Sequence, residues 1–109
     1  MDISDWRTQL RKGILEYCIL LLVKKKDRYG YELIQEIDAY EIISAKESTI
    51  YPLLRRLLKE EYLESYWQDA VEEGLPPRKY YKITIKGVTY LELMNEDWQT
   101  LMNVIDKLK

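Results

Sequence analysis

Apolar and polar residues alternate along the 109-residue chain with more than one rhythm. Ser4, whose hydroxyl is placed to cap free backbone N–H groups, opens a helix that runs to about Lys24. Its second half, Tyr17 to Val23, is apolar almost all round, as in a helix covered on more than one side. In a chain this small the second cover can come from another subunit. After a turn at residues 26–28, a short amphipathic helix carries Tyr31, Leu33, Ile34 and Ile37 and fades near Tyr40. Ile50, Leu53, Leu54, Leu57 and Leu58 then fall at i, i+3, i+4, i+7 and i+8, the period of a third helix. Its opposite face offers Ser48, Thr49, Pro52, Arg55, Arg56 and Lys59. Two starts compete for it: Ser44-Ala45-Lys46-Glu47 reads as a capping box, while Pro52 prefers a first turn.

The rhythm then changes. Leu63 to Gln68 and Arg78 to Ile83 are rich in aromatic and branched side chains, and the segment between them holds Gly74, Pro76 and Pro77, so the pair reads as a hairpin with a long loop. Thr84 caps a last helix that extends to the C-terminus. Along it Leu91, Met94, Trp98, Leu101, Ile105 and Leu108 follow a heptad spacing, the seam of a helix that pairs with another helix. The seam is read as a dimerisation surface; the alternative is packing on its own domain. The predicted fold is mainly α with a small β-hairpin. Residues 1–84 form a winged helix-turn-helix DNA-binding domain and residues 85–109 a C-terminal dimerisation helix.

Composition narrows the chemistry. With no histidine and a single cysteine, Cys18, the usual Cys/His zinc sites, Ser-His-Asp triads, Cys-His pairs and an internal disulfide are excluded. The carboxylates are scattered and no phosphate-cradling glycine loop is present, so no enzyme, metal site or cofactor is expected. The longest apolar run spans seven residues, far short of the ~20 that a membrane span needs, and the N-terminus lacks a signal-peptide pattern. A soluble, cytoplasmic protein without a membrane partner is expected. With Phe absent, most of the ten tyrosines take over its packing role, and Trp6 and Trp67 read as core or interface.

Net charge is -2, but its distribution matters more. Residues 24–86 hold twelve basic and twelve acidic groups, and the negative surplus is all C-terminal. Basic groups cluster at Lys24, Lys25, Lys26 and Arg28, at Arg55, Arg56 and Lys59, and at Arg78, Lys79, Lys82 and Lys86. Such clusters are either solvated surface or parts of one basic face. On a third helix entering a major groove, Arg55 or Arg56 can bond two acceptors of a guanine edge. Lys46, Ser48 and Thr49 at the helix start can bind phosphate or a base, and Arg78 and Lys79 on the returning strand suit phosphate. The rival reading is a winged helix used for protein contacts without DNA.

Three segments, Arg28 to Leu33 (RYGYEL), Ser48 to Leu57 (STIYPLLRRL) and Pro77 to Gly87 (PRKYYKITIKG), resemble in order and spacing the motifs of PadR-type transcriptional regulators. The single C-terminal helix is similar to the short subfamily. The resemblance implies a homodimeric repressor that reads an inverted repeat through the third helix, where Tyr51 and Pro52 of the motif join the DNA-contacting set. The last helix crosses to the partner subunit. Trp98, midway along the last helix, also resembles a tryptophan of drug-sensing members, the lactococcal multidrug-resistance regulator among them, where it stacks on planar aromatic compounds at the dimer interface. The matching pocket positions are Leu10, Gly13, Glu16, Tyr17 and Leu21 on the first helix and Met94, Asn95, Trp98 and Met102 on the last, with Glu16 or Asp97 to balance a cationic ligand. Two departures stand out. Glu61 replaces the glycine usual after the third helix. The hairpin loop carries Asp69, Glu72 and Glu73 where a phosphate-facing wing favours Lys or Arg, so weak non-specific DNA binding is expected.

Overall fold

Ile50, Leu54 and Leu57, the inward row of the third helix, are fully buried against Leu15, Ile19 and Leu20 of the first and Leu33 and Ile37 of the second, in a computed structural model that describes residues 2–109. The elements run α1 (Ser4–Lys25), β1 (Arg28–Tyr29), α2 (Gly30–Asp38), a 3₁₀ turn (Glu41–Ile43), α3 (Glu47–Lys59), β2 (Leu63–Gln68), β3 (Arg78–Ile83) and α4 (Ile85–Leu108). This is a mainly helical winged helix with a small antiparallel sheet. The hairpin strands occupy the predicted residues, paired in register from Leu63 opposite Ile83 to Gln68 opposite Arg78.

The turn expected at residues 26–28 is in part a strand. Arg28 and Tyr29 pair with Tyr81 and Tyr80, so the sheet order is β1-β3-β2. Two residues carry no periodicity of their own; they become a strand because β3 offers them a free edge. Alternation along the strands puts Leu63 and Tyr81 into the core. It also places Tyr29, Tyr66 and Tyr80 side by side on the other face, where Tyr66 stacks on Tyr80 at 5.6 Å and Tyr29 meets Tyr80 edge-on at 5.5 Å. Cross-strand aromatic pairs of this kind stabilise the sheet.

Several helix ends differ from expectation. Ser4 does not cap α1: its N–H and hydroxyl both donate to the Asp2 carboxylate, at 2.9 and 2.8 Å. That bond holds the Asp2 carboxyl below its ordinary range. The capping box at 44–47 does not form either. The Ser44 hydroxyl donates to Asp38 instead, and α3 starts at Glu47 after Lys46, with no side-chain cap. Pro52 therefore sits in the second turn, where its missing N–H leaves the Ser48 carbonyl without its helical donor. Trp6 and Trp67 are not core residues; both are largely exposed.

The end of α3 shows how the fold manages without glycine. Glu61 adopts φ +63°, the Glu61 N–H donates to the Leu58 carbonyl at 3.0 Å, and the Tyr62 N–H donates to that of Leu57 at 2.9 Å. This is a complete Schellman closure carried by a glutamate. The α4 N-terminus seats on it. Thr84 caps α4 as predicted, accepting from the Gly87 N–H at 2.9 Å, while its hydroxyl donates to the Glu61 carbonyl at 2.6 Å. Gly87 lies so close that a Cβ there would stand 2.1 Å from the Tyr62 carbonyl oxygen. No larger residue fits this joint without moving backbone.

Candidate nucleic-acid interface and effector cleft

The outward face of α3 presents Ser48, Thr49, Pro52, Arg55, Arg56 and Lys59, all exposed as the period requires, with Lys46 just ahead of the helix. The wing flanks this face. Between the wing and the start of α2, with Tyr51 of α3 in its wall, runs a cleft lined by Tyr29, Gly30, Tyr31, Tyr51, Trp67, Arg78, Lys79 and Tyr81. Two cations and several aromatic rings line it, and no carboxylate does. Gly30 makes room here: a Cβ would meet the Tyr51 ring at 2.8 Å, so the ring lies directly on the start of α2. Burial, and then the charge of Glu47, push the Tyr51 phenol up. Arg78 rests over the Tyr29 ring at 4.5 Å and Lys79 over Tyr81 at 5.7 Å. Trp67, 69 % exposed, sits opposite Lys79 in the register and lines the same cleft. Sequence reasoning assigned it to core or interface; its place beside Lys79 on a wing strand was the available clue.

The predicted basic clusters divide. Arg28 is buried and bonds Glu36 at 2.8 Å, so it braces β1 against α2 and does not face solvent. Arg56 pairs with Glu16 at 3.1 Å. Lys86 donates to the Glu60 carbonyl at 2.9 Å. Among the described residues, Lys46, Arg55, Lys59, Arg78 and Lys79 make no ion pair. Within these clusters, and among the described residues, the cations free of ion pairs are thus Lys24 and Lys25 at the end of α1, Arg55 and Lys59 on α3, and Arg78, Lys79 and Lys82 on the wing, with Lys86 held by a carbonyl. The acidic loop residues Asp69, Glu72 and Glu73 are exposed at the hairpin tip. On the outer face of the sheet, Tyr66 donates to Asp27 at 2.6 Å, and that bond pushes its phenol up to about 12.

A second cleft, of about 230 Å³, opens between α1 and α4 and is lined by Gly13, Ile14, Tyr17, Met94, Asp97, Trp98 and Leu101. The structure brings Gly13, Tyr17, Met94 and Trp98 together here, as the sequence reading expects. Leu10, Glu16, Leu21, Asn95 and Met102 do not line it. Glu16 turns to Arg56 and Tyr90, which leaves Asp97 as the carboxylate at the cleft. The Tyr17 and Trp98 rings lie 5.9 Å apart and tilted by 40°, and the Tyr17 hydroxyl is fixed by Asn95. Leu101 at the edge of the cleft, and Ile105 and Leu108 beyond it, are exposed, while Leu91 at the start of the heptad row is buried.

Among the described residues, no group of three His, Cys, Asp or Glu is placed to hold a metal ion, and no helix is long and apolar enough to cross a membrane. Burial pushes the Cys18 thiol up, away from the thiolate form.

Three helices, a wing and a cation-bearing outward face on the third helix define a winged helix-turn-helix of the kind found in transcriptional regulators. The model of the transcriptional regulator PadR-like family matches residues 19–93, and the chain belongs to that family. It is 36% identical to a PadR-like transcriptional regulator from Bacillus cereus, whose crystal structure superposes with a TM-score of 0.81 over 92% of this chain and 95% of that one. A PadR family transcriptional regulator from Eggerthella lenta matches with a TM-score of 0.80 at 31% identity, over 97% of this chain and 90% of that one. An uncharacterized protein of Lysinibacillus sphaericus is 39% identical over 102 residues, 92% of each chain.

Proposed function

We propose that the chain is a homodimeric, sequence-specific DNA-binding repressor acting in the cytoplasm, of the short PadR subfamily with a single C-terminal helix. Residues 1–84 carry DNA recognition and residues 85–109 carry assembly. One observation supports the DNA-binding half above all: the α3 face and the wing cleft together hold the unpaired cations Arg55, Arg78 and Lys79 beside Ser48, Thr49, Tyr51 and Pro52, with no carboxylate lining the cleft. A duplex fits that arrangement, its base edges against α3 and its phosphates along the wing. Since Arg56 is tied to Glu16, Arg55 is the arginine that reads a base.

Selection of bound duplexes from a random pool tests this reading. An inverted repeat with half-sites about one helical turn (~10 bp) apart, or a small multiple of it, is expected. Arg55→Ala then costs about 1–3 kcal/mol on the selected site and relaxes preference at one position. Lys79→Ala weakens all duplexes alike and flattens the salt dependence. A protein-contact module without DNA binding would enrich no sequence and would not be retained on heparin at low salt.

The ligand half of the reading is supported by the Tyr17–Trp98 cleft. Its rings offer a stacking surface and Asp97 a counter-charge. A planar, cationic aromatic compound is the effector class that fits, and its entry between α1 and α4 would alter the geometry of the dimer and release the operator.

A further inference from the structure

Three helices meet at one carboxylate. Glu16 of α1 pairs with the Arg56 guanidinium of α3: its carboxylate stands 3.1 Å from Nη1 as an ion pair and accepts a hydrogen bond from Nη2 at 3.4 Å. It also accepts from the Tyr90 hydroxyl of α4 at 3.2 Å. Tyr90 is held in turn by its ring, stacked on Tyr62 at 4.1 Å with 7° between the planes. The Glu16 side chain is 14% exposed and that of Arg56 is 56% exposed. The carboxylate is therefore the fixed partner, and the guanidinium is the one with room to leave.

Arg56 sits on the outward side of α3 next to Arg55, within the row that the reading above sets against DNA. A guanidinium there that is free binds phosphate and adds a sequence-independent contact; one already paired to a carboxylate does so only by breaking that pair. We propose that Glu16 is a positioning residue for DNA recognition: it holds Arg56 back from the phosphate backbone, so that Arg55 meets the bases without a competing non-specific contact beside it. The inference rests on the DNA-binding reading. It gives a physical reason for a paired arginine on the outward face of a recognition helix, and it acts in the same direction as the acidic hairpin tip, keeping non-specific affinity low.

Glu16→Gln tests it, since the amide keeps the shape and an acceptor for Tyr90 while removing the charge. Affinity for a random duplex and for the selected operator is measured across a salt series, with thermal unfolding followed in parallel. The expected result is a log K against log salt slope steeper by about 0.9 on random duplex, a rise in non-specific affinity of roughly tenfold at 0.1 M salt, and a fall in the operator-to-random ratio. Adding Glu16→Gln to Arg56→Ala should leave the slope of Arg56→Ala unchanged. Arg56→Lys, which leaves Glu16 in place, should steepen the slope as well, because an ammonium cannot make both carboxylate contacts; it decides the matter if Glu16→Gln fails to fold. Wild-type slopes retained by both variants, with only a lowered Tm, would overturn the inference and leave DNA binding standing. Absence of salt-dependent binding by the wild type would instead overturn the reading on which it rests.

Discussion

The two ends of α4 carry the same heptad pattern and meet opposite fates. At its N-terminal end Thr84 caps the helix, Gly87 presses on the Tyr62 carbonyl, Tyr90 stacks on Tyr62, and Leu91 is 3% exposed. At its C-terminal end Leu101 is 47% and Leu108 80% exposed. One helix thus serves two structures: its first turns complete the core of the winged helix, and its last turns project an apolar row beyond that core. The row has the regularity of a heptad seam, and on the proposed reading a second copy of the same helix covers it. Trp98 lies where the two regimes meet, its ring beside Tyr17 with a cleft against it.

Substitutions separate the two ends. Gly87→Ala should have the largest effect on the fold, about 3 kcal/mol or more, because the clash is with a backbone oxygen that cannot rotate away. Thermal unfolding would show it as a large drop in Tm, and a wild-type Tm would show that the α4 seat is looser than drawn. At the other end, Leu101→Glu with Ile105→Glu should leave the winged helix folded and weaken self-association at least a hundredfold, about 2.7 kcal/mol, as like charges face each other across a two-fold axis. Unchanged association would move the dimer interface elsewhere.

Between the ends, Trp98→Ala should abolish saturable quenching of tryptophan fluorescence by a planar cationic dye, with a loss of about 0.5–1.5 kcal/mol of stacking. Trp67→Ala should keep the quenching, and quenching indifferent to Trp98 would remove the effector reading. The smallest effect is a gain. Glu61→Gly relieves a left-handed residue at the α3 end and should stabilise the fold by about 1 kcal/mol, provided the Schellman bonds persist.

Much of this architecture can be read from local pattern. The hairpin boundaries, the buried row of α3 and the Thr84 cap follow from alternation, period and a single hydroxyl, each a signal spanning a few neighbouring residues. What escapes the sequence is decided at a distance. β1 exists only because β3 has an edge, and Ser44 abandons a capping box because Asp38 is closer. Glu16 sits just before the apolar half of α1 like a pocket residue, yet its partners lie 40 and 74 positions away. The candidate site shows the same division. Arg55 and Arg56 are indistinguishable by spacing, and only the position of Glu16 tells which of them is tied in an ion pair.

The division of α4 is tested most directly by sedimentation equilibrium of the wild type at micromolar concentration, alone and with a duplex carrying the selected inverted repeat. A dimer of 13.2 kDa chains that loads one dimer per duplex is expected, with the Leu101→Glu, Ile105→Glu variant sedimenting as a folded monomer. A wild type that stays monomeric, free and on DNA, would contradict the account.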